Sequence, residues 1–179
     1  MNITVYLGSF EGKSDIYKKT AKELGNYIGE KGHNLIYGGS AIGLMGFLAD
    51  GVLEKGGKVY GFEPRFFVNG EMQHKGVTKL TITETMAERK SLLIEKGDAF
   101  IAFPGGLGTL EEITEVMTLN KIGQINKPFY FLNIENYYEP LKKLFKHMVD
   151  NGFLEEDFYN SLKFLNSVEE LAKELEERP

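Results

Sequence analysis

"AFIAFPGGLGTLEE", Ala99–Glu112, joins an unbroken apolar run to a glycine-rich turn and then to a helical pattern. A run that is apolar at every position reads as a strand covered on both faces. Pro104 stops it, because proline has no N–H to give to a ladder. Glycines at 105, 106 and 108 let the backbone approach a ligand and take left-handed angles. The helix behind them offers free N–H groups and a partial positive charge, which together suit a phosphate. Strand, glycine turn and helix make up the repeating unit of an open α/β sheet.

The rest of the chain repeats that unit. Strands are expected at Ile3–Leu7, Asn34–Tyr37, Lys58–Phe62, Lys79–Thr83, Ala99–Phe103, Pro128–Leu132 and Lys163–Leu165. Amphipathic stretches lie between most of them: Asp15–Lys31 (with Ile16, Ala21, Leu24 and Ile28 at helical spacing), Ile42–Lys55, Met86–Lys96, Thr109–Ile122 and Pro140–Val149. Glu63–Val77 fits neither pattern and is expected to be irregular. Val168–Arg178 is strongly charged and reads as a solvated helix. The alternation predicts an α/β fold: a Rossmann-like, doubly wound parallel sheet of about six or seven strands in a three-layer sandwich. Glycine turns follow three strands, at Gly8-Ser9, Gly38-Gly39-Ser40 and Gly105–Gly108. Ligands of such sheets bind beyond the carboxyl ends of the strands, and the three turns converge there only if their strands are neighbours.

With 179 residues the chain suits one domain, and no linker or repeat divides it. A net charge of −5 argues against a nucleic-acid or anionic-membrane partner. No apolar stretch approaches the ~20 residues of a membrane span, and no signal peptide opens the chain. Cysteine is absent, so thiolate chemistry and disulfides are excluded, which fits a cytoplasmic protein. The three histidines, His33, His74 and His147, form no close pair, so neither a metal nor another cofactor is expected.

Two nucleotide motifs are near misses. The dinucleotide fingerprint needs Gly-x-Gly-x-x-Gly after the first strand and an acid near the end of the second, but "IYGGS" supplies no acid. "GSFEGKS", Gly8–Ser14, is one residue short of a Walker loop, so Lys13 reads as solvated and Ser14 or Asp15 as a helix cap. No lysine follows Gly105–Gly108, so that loop suits a single phosphate.

The acids after the loop admit two readings. Thr109-Leu110-Glu111-Glu112 is a Thr-x-x-Glu capping box, in which Glu112 turns back to the backbone. Against this, Glu115 shares a helix face with Glu112, and "MAERK", Met86–Lys90, opens another helix at the same end of the sheet. An arginine there could hold a phosphate or a carboxylate with its two-pronged guanidinium.

"PGGLGTLEE" and "MAERK" together resemble the Pro-Gly-Gly-x-Gly-Thr-x-x-Glu and Met-His-x-Arg-Lys signature of the Lonely guy (LOG) family, cytokinin riboside 5′-monophosphate phosphoribohydrolases. "YGGSAIGLMG", "GGKVYGFEP", "EMQHKGVTKL" and "KPFYFLNIENYYEPL" extend the resemblance over nearly the whole chain. It implies that residues 1–179 form a single Rossmann-like nucleotide-monophosphate-binding domain. The implied reaction is hydrolysis of the N-glycosidic bond of an N6-substituted AMP, and of AMP in some members, to free base and ribose 5-phosphate. The implied catalytic pair is Arg89 and Glu112. Gly105, Gly106, Gly108 and Thr109 would hold the phosphate, and Glu71, Lys90 and Thr118 stand at substrate-associated positions. The substrate set further takes in Gly8, Ser9, Gly38, Gly39, Ser40, Gly43, Met45, Leu107, Glu111 and Glu115. The family is at least dimeric, with the pocket near the interface. Ala87, Ser40 and Leu119 depart from the family pattern at its histidine, glycine and tryptophan positions. Arg89 and the helix N-terminus are expected to keep Glu112 ionised.

The alternative is a non-catalytic nucleotide or cofactor carrier, such as a molybdenum cofactor carrier, which need not have both Arg89 and Glu112. The label lysine decarboxylase has also been attached to similar proteins. That reaction needs pyridoxal phosphate on a Schiff-base lysine, and no lysine stands in such a setting.

Overall fold

The computed structural model describes residues 1–70 and 72–177. Its strands are β1 (Asn2–Tyr6), β2 (Asn34–Tyr37), β3 (Lys58–Pro64), β4 (Lys79–Thr83), β5 (Ala99–Ala102), β6 (Phe129–Leu132) and β7 (Phe164–Leu165). Its α-helices are α1 (Asp15–Glu30), α2 (Gly43–Glu54), α3 (Met86–Lys96), α4 (Leu107–Lys121), α5 (Glu139–Asp150), α6 (Glu156–Ser161) and α7 (Val168–Glu176). Among the described residues the strands form one parallel sheet in the order β4-β3-β2-β1-β5-β6-β7. The winding therefore reverses between β1 and β5, which are paired from Ile3↔Ala99 to Tyr6↔Ala102. β2, β1 and β5 are neighbours, so the three glycine turns stand side by side beyond their strands.

Two apolar layers flank the sheet. Ala99, Ile101 and Phe103 join the layer that includes Leu24, Leu48 and Leu171, while Phe100 and Ala102 join the one that includes Leu93, Ile113 and Phe145. The continuous apolar run is thus explained by burial on both faces. α1, α2 and α7 cover one face, and α3 to α6 the other.

Several expectations need correction. α7 is charged but not merely solvated: Val168, Leu171 and Leu175 are buried against α1's side of the sheet. Ile16 shares α1's sequence periodicity yet is exposed, and its neighbour Tyr17 packs against the core instead. Glu63 and Pro64 extend β3 through pairing with Ile82 and Thr83, and a 3-10 turn follows at Arg65–Gly70. α6 lies in a stretch too short to show helical periodicity. Ser14 stands at the N-cap of α1 but makes no side-chain capping bond.

α1 and α2 cross at glycines. A Cβ on Gly25 would lie 2.2 Å from the Leu48 carbonyl oxygen, and one on Gly51 would lie 2.6 Å from that of Lys22. Both obstacles are helix backbone and cannot rotate away. We expect Gly25→Ala and Gly51→Ala each to lower stability by about 1–3 kcal/mol, read as a lower urea midpoint.

Candidate functional site

At the switch point the Gly8 N–H donates to the Pro104 carbonyl at 3.2 Å, which ties the first and third glycine turns together. A cleft of about 590 Å³ opens there, between the turns and the ends of α1, α3 and α4. Its floor includes Tyr6, Gly8, Gly38, Arg89 and Glu112; Gly105–Thr109 form one wall, and Phe10, Met45, Phe67 and Met86 supply apolar surface.

α4 begins at Leu107 with Gly106 as its N-cap, and the first intrahelical bond runs from the Leu110 N–H to the Gly106 carbonyl at 3.1 Å. Helix geometry leaves the N–H groups of Leu107, Gly108 and Thr109 without an intrahelical acceptor. Gly105 has no room for a side chain: a Cβ would lie 2.1 Å from Thr109 Oγ1 and 2.8 Å from the Gly8 nitrogen. The helix starts two residues before Thr109 and is capped at Gly106, so Thr109 is not the N-cap. The capping reading of Glu112 fails for that reason. A side-chain cap does occur at α3, where Thr85 Oγ1 accepts from the Glu88 N–H at 3.1 Å and the Glu88 carboxylate accepts from the N–H of Glu84, one residue before the N-cap, at 2.8 Å. This fixes the first turn of α3 and places Arg89 on it.

Glu112 instead accepts from Arg89 Nη1 at 2.5 Å, with both side chains nearly buried. Arg89 Nε donates to the Phe62 carbonyl at 2.9 Å, so β3 holds the guanidinium from behind. Gly38 clears its path, since a Cβ there would meet Arg89 Nη2 at 2.8 Å. Lys90, the next residue, pairs with Glu111 at 2.7 Å and Glu115 at 3.2 Å. α3 and α4 are therefore joined by one buried and one exposed charge cluster.

Burial pushes the Glu112 carboxyl above its ordinary value; the Arg89 charge and hydrogen bond pull it down without reversing the shift. The expectation that Arg89 and the helix terminus decide its ionisation is corrected: desolvation is the larger effect. Burial likewise raises Glu63, whose side chain lies at the end of β3 near Arg89. Lys90 is raised by its hydrogen bonds to Glu111 and Glu115 and stays a firm cation.

The structure brings Gly8, Ser9, Gly38, Met45, Arg89, Gly105, Gly106, Leu107, Gly108, Thr109, Glu111 and Glu112 to the cleft. Gly39, Ser40 and Gly43 stand behind it. Gly43, at φ +63°, packs on the Ser9 carbonyl, and Ser40 Oγ accepts from the Ile42 N–H at 3.0 Å. Lys90 and Glu115 stand beside the cleft, linked to its rim through Glu111. Thr118 lies further along α4, its hydroxyl donating to the Thr114 carbonyl at 2.7 Å. Glu71 lies outside the described residues. Lys13 is exposed. His74 is held by Asp50 at 2.9 Å and by the Gly76 N–H at 3.1 Å, away from the cleft. Sequence reasoning missed Tyr6, Phe10, Tyr17, Phe67, Met86 and Tyr137, all of which line the cleft. Apolar and aromatic residues of this kind carry no spacing signal that separates lining from core. Among the described residues, no group of three or more histidine, aspartate or glutamate side chains is placed to hold a metal ion. No described helix is long and apolar enough to cross a membrane.

The model of a family described as "Possible lysine decarboxylase" matches residues 45–175. A cytokinin riboside 5′-monophosphate phosphoribohydrolase of Rhodococcoides fascians is 42% identical over 154 residues, covering 86% of this chain and 78% of that protein. The phosphoribohydrolase LOG of Oryza sativa subsp. japonica is 38% identical over 175 residues, covering 98% and 72%. Among solved structures, the molybdenum cofactor carrier protein of Chlamydomonas reinhardtii aligns with a TM-score of 0.72 at 19% identity, covering 98% and 94%. A molybdenum cofactor binding protein of Rippkaea orientalis aligns at 0.73 and 22%, with the same coverage. At such identities these structures share the fold alone.

The raised Glu112 carboxyl has a consequence for stability. The folded chain binds that proton more tightly than the unfolded chain does, so the stabilisation is present at acid pH and is lost as pH rises through the folded value. Glu112→Gln keeps an acceptor for Arg89 and removes the buried charge. We expect its melting temperature to equal or exceed that of wild type near neutral pH, with the margin shrinking toward about pH 4. Thermal denaturation at the two pH values checks this.

Proposed function

The chain belongs to the Lonely guy (LOG) family of cytokinin riboside 5′-monophosphate phosphoribohydrolases, and from that membership we propose that it is an N-glycosyl hydrolase. Its substrate is an N6-substituted AMP, with AMP itself as a further substrate, and its products are the free base and ribose 5-phosphate. One observation carries the reading: a nearly buried carboxylate held by an arginine faces the same cleft as an open helix N-terminus.

The 5′-phosphate sits on the backbone of Gly105, Gly106, Gly108 and Thr109, where N–H groups and the helix charge meet it. This sets the ribose over Glu112. Breaking the C1′–N9 bond sends its electron pair to the base and leaves an oxocarbenium-like sugar. The Glu112 carboxylate stabilises that positive charge and takes a proton from the water that adds to C1′, while the departing base takes up a proton from solvent. Arg89 keeps the carboxylate oriented and offsets part of the burial that opposes its ionisation. Phe10, Met45, Phe67 and Met86 give the base an apolar surround. Lys90, Glu111 and Glu115 brace α3 against α4, and Glu71 and Thr118 complete the substrate set.

The named label of lysine decarboxylase does not suit these residues. Among the described residues no lysine lines the cleft. Lys90, the nearest in sequence to the arginine, is held protonated by two carboxylates, whereas a Schiff-base lysine must lose its proton.

We also propose that residues 1–179 act as one domain, that the protein works in the cytoplasm, and that it is a homodimer or a higher oligomer with the cleft near the interface. Phe10 is 84% and Leu107 87% exposed at the cleft rim, and a partner subunit would cover such side chains. Light scattering on the purified protein tests the oligomer.

Incubation with AMP and with isopentenyl-AMP, followed by chromatography, should release free base from both. Glu112→Gln should lower kcat by about 10²-fold or more while AMP still binds. Wild-type turnover in that variant would remove Glu112 from the chemistry. Arg89→Ala should impair both turnover and binding, and unchanged steady-state constants would refute its role. Because burial raises the Glu112 carboxyl, kcat/KM should fall on the acid side with a midpoint above that of an ordinary carboxylate.

A further inference from the structure

Three consecutive carbonyls lead into the glycine loop, and each is held by a donor from elsewhere in the chain. The Phe103 carbonyl accepts from the Tyr138 hydroxyl at 2.7 Å. The Pro104 carbonyl accepts from the Gly8 N–H at 3.2 Å. The Gly105 carbonyl accepts from the Tyr137 hydroxyl at 2.5 Å. Both tyrosines come from the turn after β6, the strand next to β5.

That turn is strained. Glu135 and Asn136 both take left-handed angles, φ 51° and 58°, although neither is glycine. Such a pair persists only where its surroundings over-determine it. Asn133, 3% exposed, does so from inside: its side-chain oxygen accepts from the Tyr138 N–H at 2.7 Å and its amide donates to Glu139 at 3.0 Å. The Tyr137 ring is then wedged edge-on between Tyr17, at 6.1 Å, and Tyr138, at 5.1 Å.

The hydroxyl at the end of this brace meets the one peptide of the loop that is freest to turn over. The Gly105–Gly106 peptide has glycine on both sides, so no Cβ on either residue opposes its rotation. In a trans peptide the carbonyl and the N–H point in opposite directions. Holding the Gly105 oxygen on Tyr137 therefore aims the Gly106 N–H the other way, and a flipped peptide would present an oxygen where the N–H had been. An anion is attracted by the first arrangement and repelled by the second.

We propose that Tyr137 is a positioning residue for the phosphate cradle: its hydroxyl locks the Gly105–Gly106 peptide in the orientation that receives the 5′-phosphate. The inference rests on the cradle reading given above. Tyr137→Phe keeps the ring and its packing and removes only the latch. Calorimetric binding of ribose 5-phosphate and of adenosine separates the two ends of the cleft. We expect the variant to bind ribose 5-phosphate about fivefold or more weakly, to bind adenosine as wild type does, and to keep its Tm. With AMP, KM should rise by a similar factor while kcat changes less. Tyr138→Phe, which frees a carbonyl behind the loop, should instead lower the Tm. Wild-type affinity for ribose 5-phosphate in Tyr137→Phe would overturn the proposal, as would equal weakening of both ligands with a lowered Tm. If wild type binds no ribose 5-phosphate, the cradle and the latch both fall. If it binds ribose 5-phosphate but releases no base from AMP, only the hydrolase reading falls.

Discussion

β1 pairs with β5 at the middle of the sheet, and this pairing sets the position of everything around the cleft. Right-handed crossovers carry the chain outward from β1 through β2 to β4 with α1 and α2 on one face. The return from β4 to β5 then has to run over the other face, and α3, α4 and α5 follow there. Where the winding reverses, the helices on either side part and leave a crevice at the carboxyl ends of the strands. The Gly8–Pro104 bond closes the backbone at its base. Glycine at 105 is required because Thr109 and the Gly8 nitrogen already fill the space that a side chain would need.

Within the crevice the chemistry is a balance between burial and charge. Burial opposes the ionised form of Glu112, and Arg89 offsets part of that opposition. Such a pair contributes little net stability, because taking two charges out of water costs about what their attraction returns. A carboxylate raised toward neutrality is also a better proton acceptor than one held firmly ionised, which suits a group that must take a proton from water. Arg89 is in turn held by the Phe62 carbonyl and by the space that Gly38 leaves. The pair is therefore built from β2, β3, α3 and α4 together.

The Thr-x-x-Glu pattern shows why part of the site was legible and part was not. It occurs at Thr85–Glu88 and again at Thr109–Glu112. At the first, the helix starts beside the threonine and the cap forms. At the second, the helix starts at Leu107, so the same four-residue pattern falls inside it and the glutamate is free to meet Arg89. Local sequence cannot separate the two cases, because the difference lies in where the preceding strand ends and what the glycines beside it pack against. The "MAERK" stretch pointed to the pairing because it opens a helix at the same end of the sheet, and its family resemblance named the partners.

The sequence by itself determined the alternation of strands and helices, the double burial of "AFIAF", the three glycine turns and the family signature. These follow from periodicity and residue type, which are local. Tertiary structure alone decided the strand order that makes the three turns neighbours, the aromatic lining of the cleft and the burial that raises Glu112. It also decided the left-handed turn that delivers Tyr137 to Gly105. Each of these depends on residues far apart in the chain, such as Tyr137 and Gly105 or Arg89 and Glu112, and a contact between them exists only once the sheet has brought their elements together.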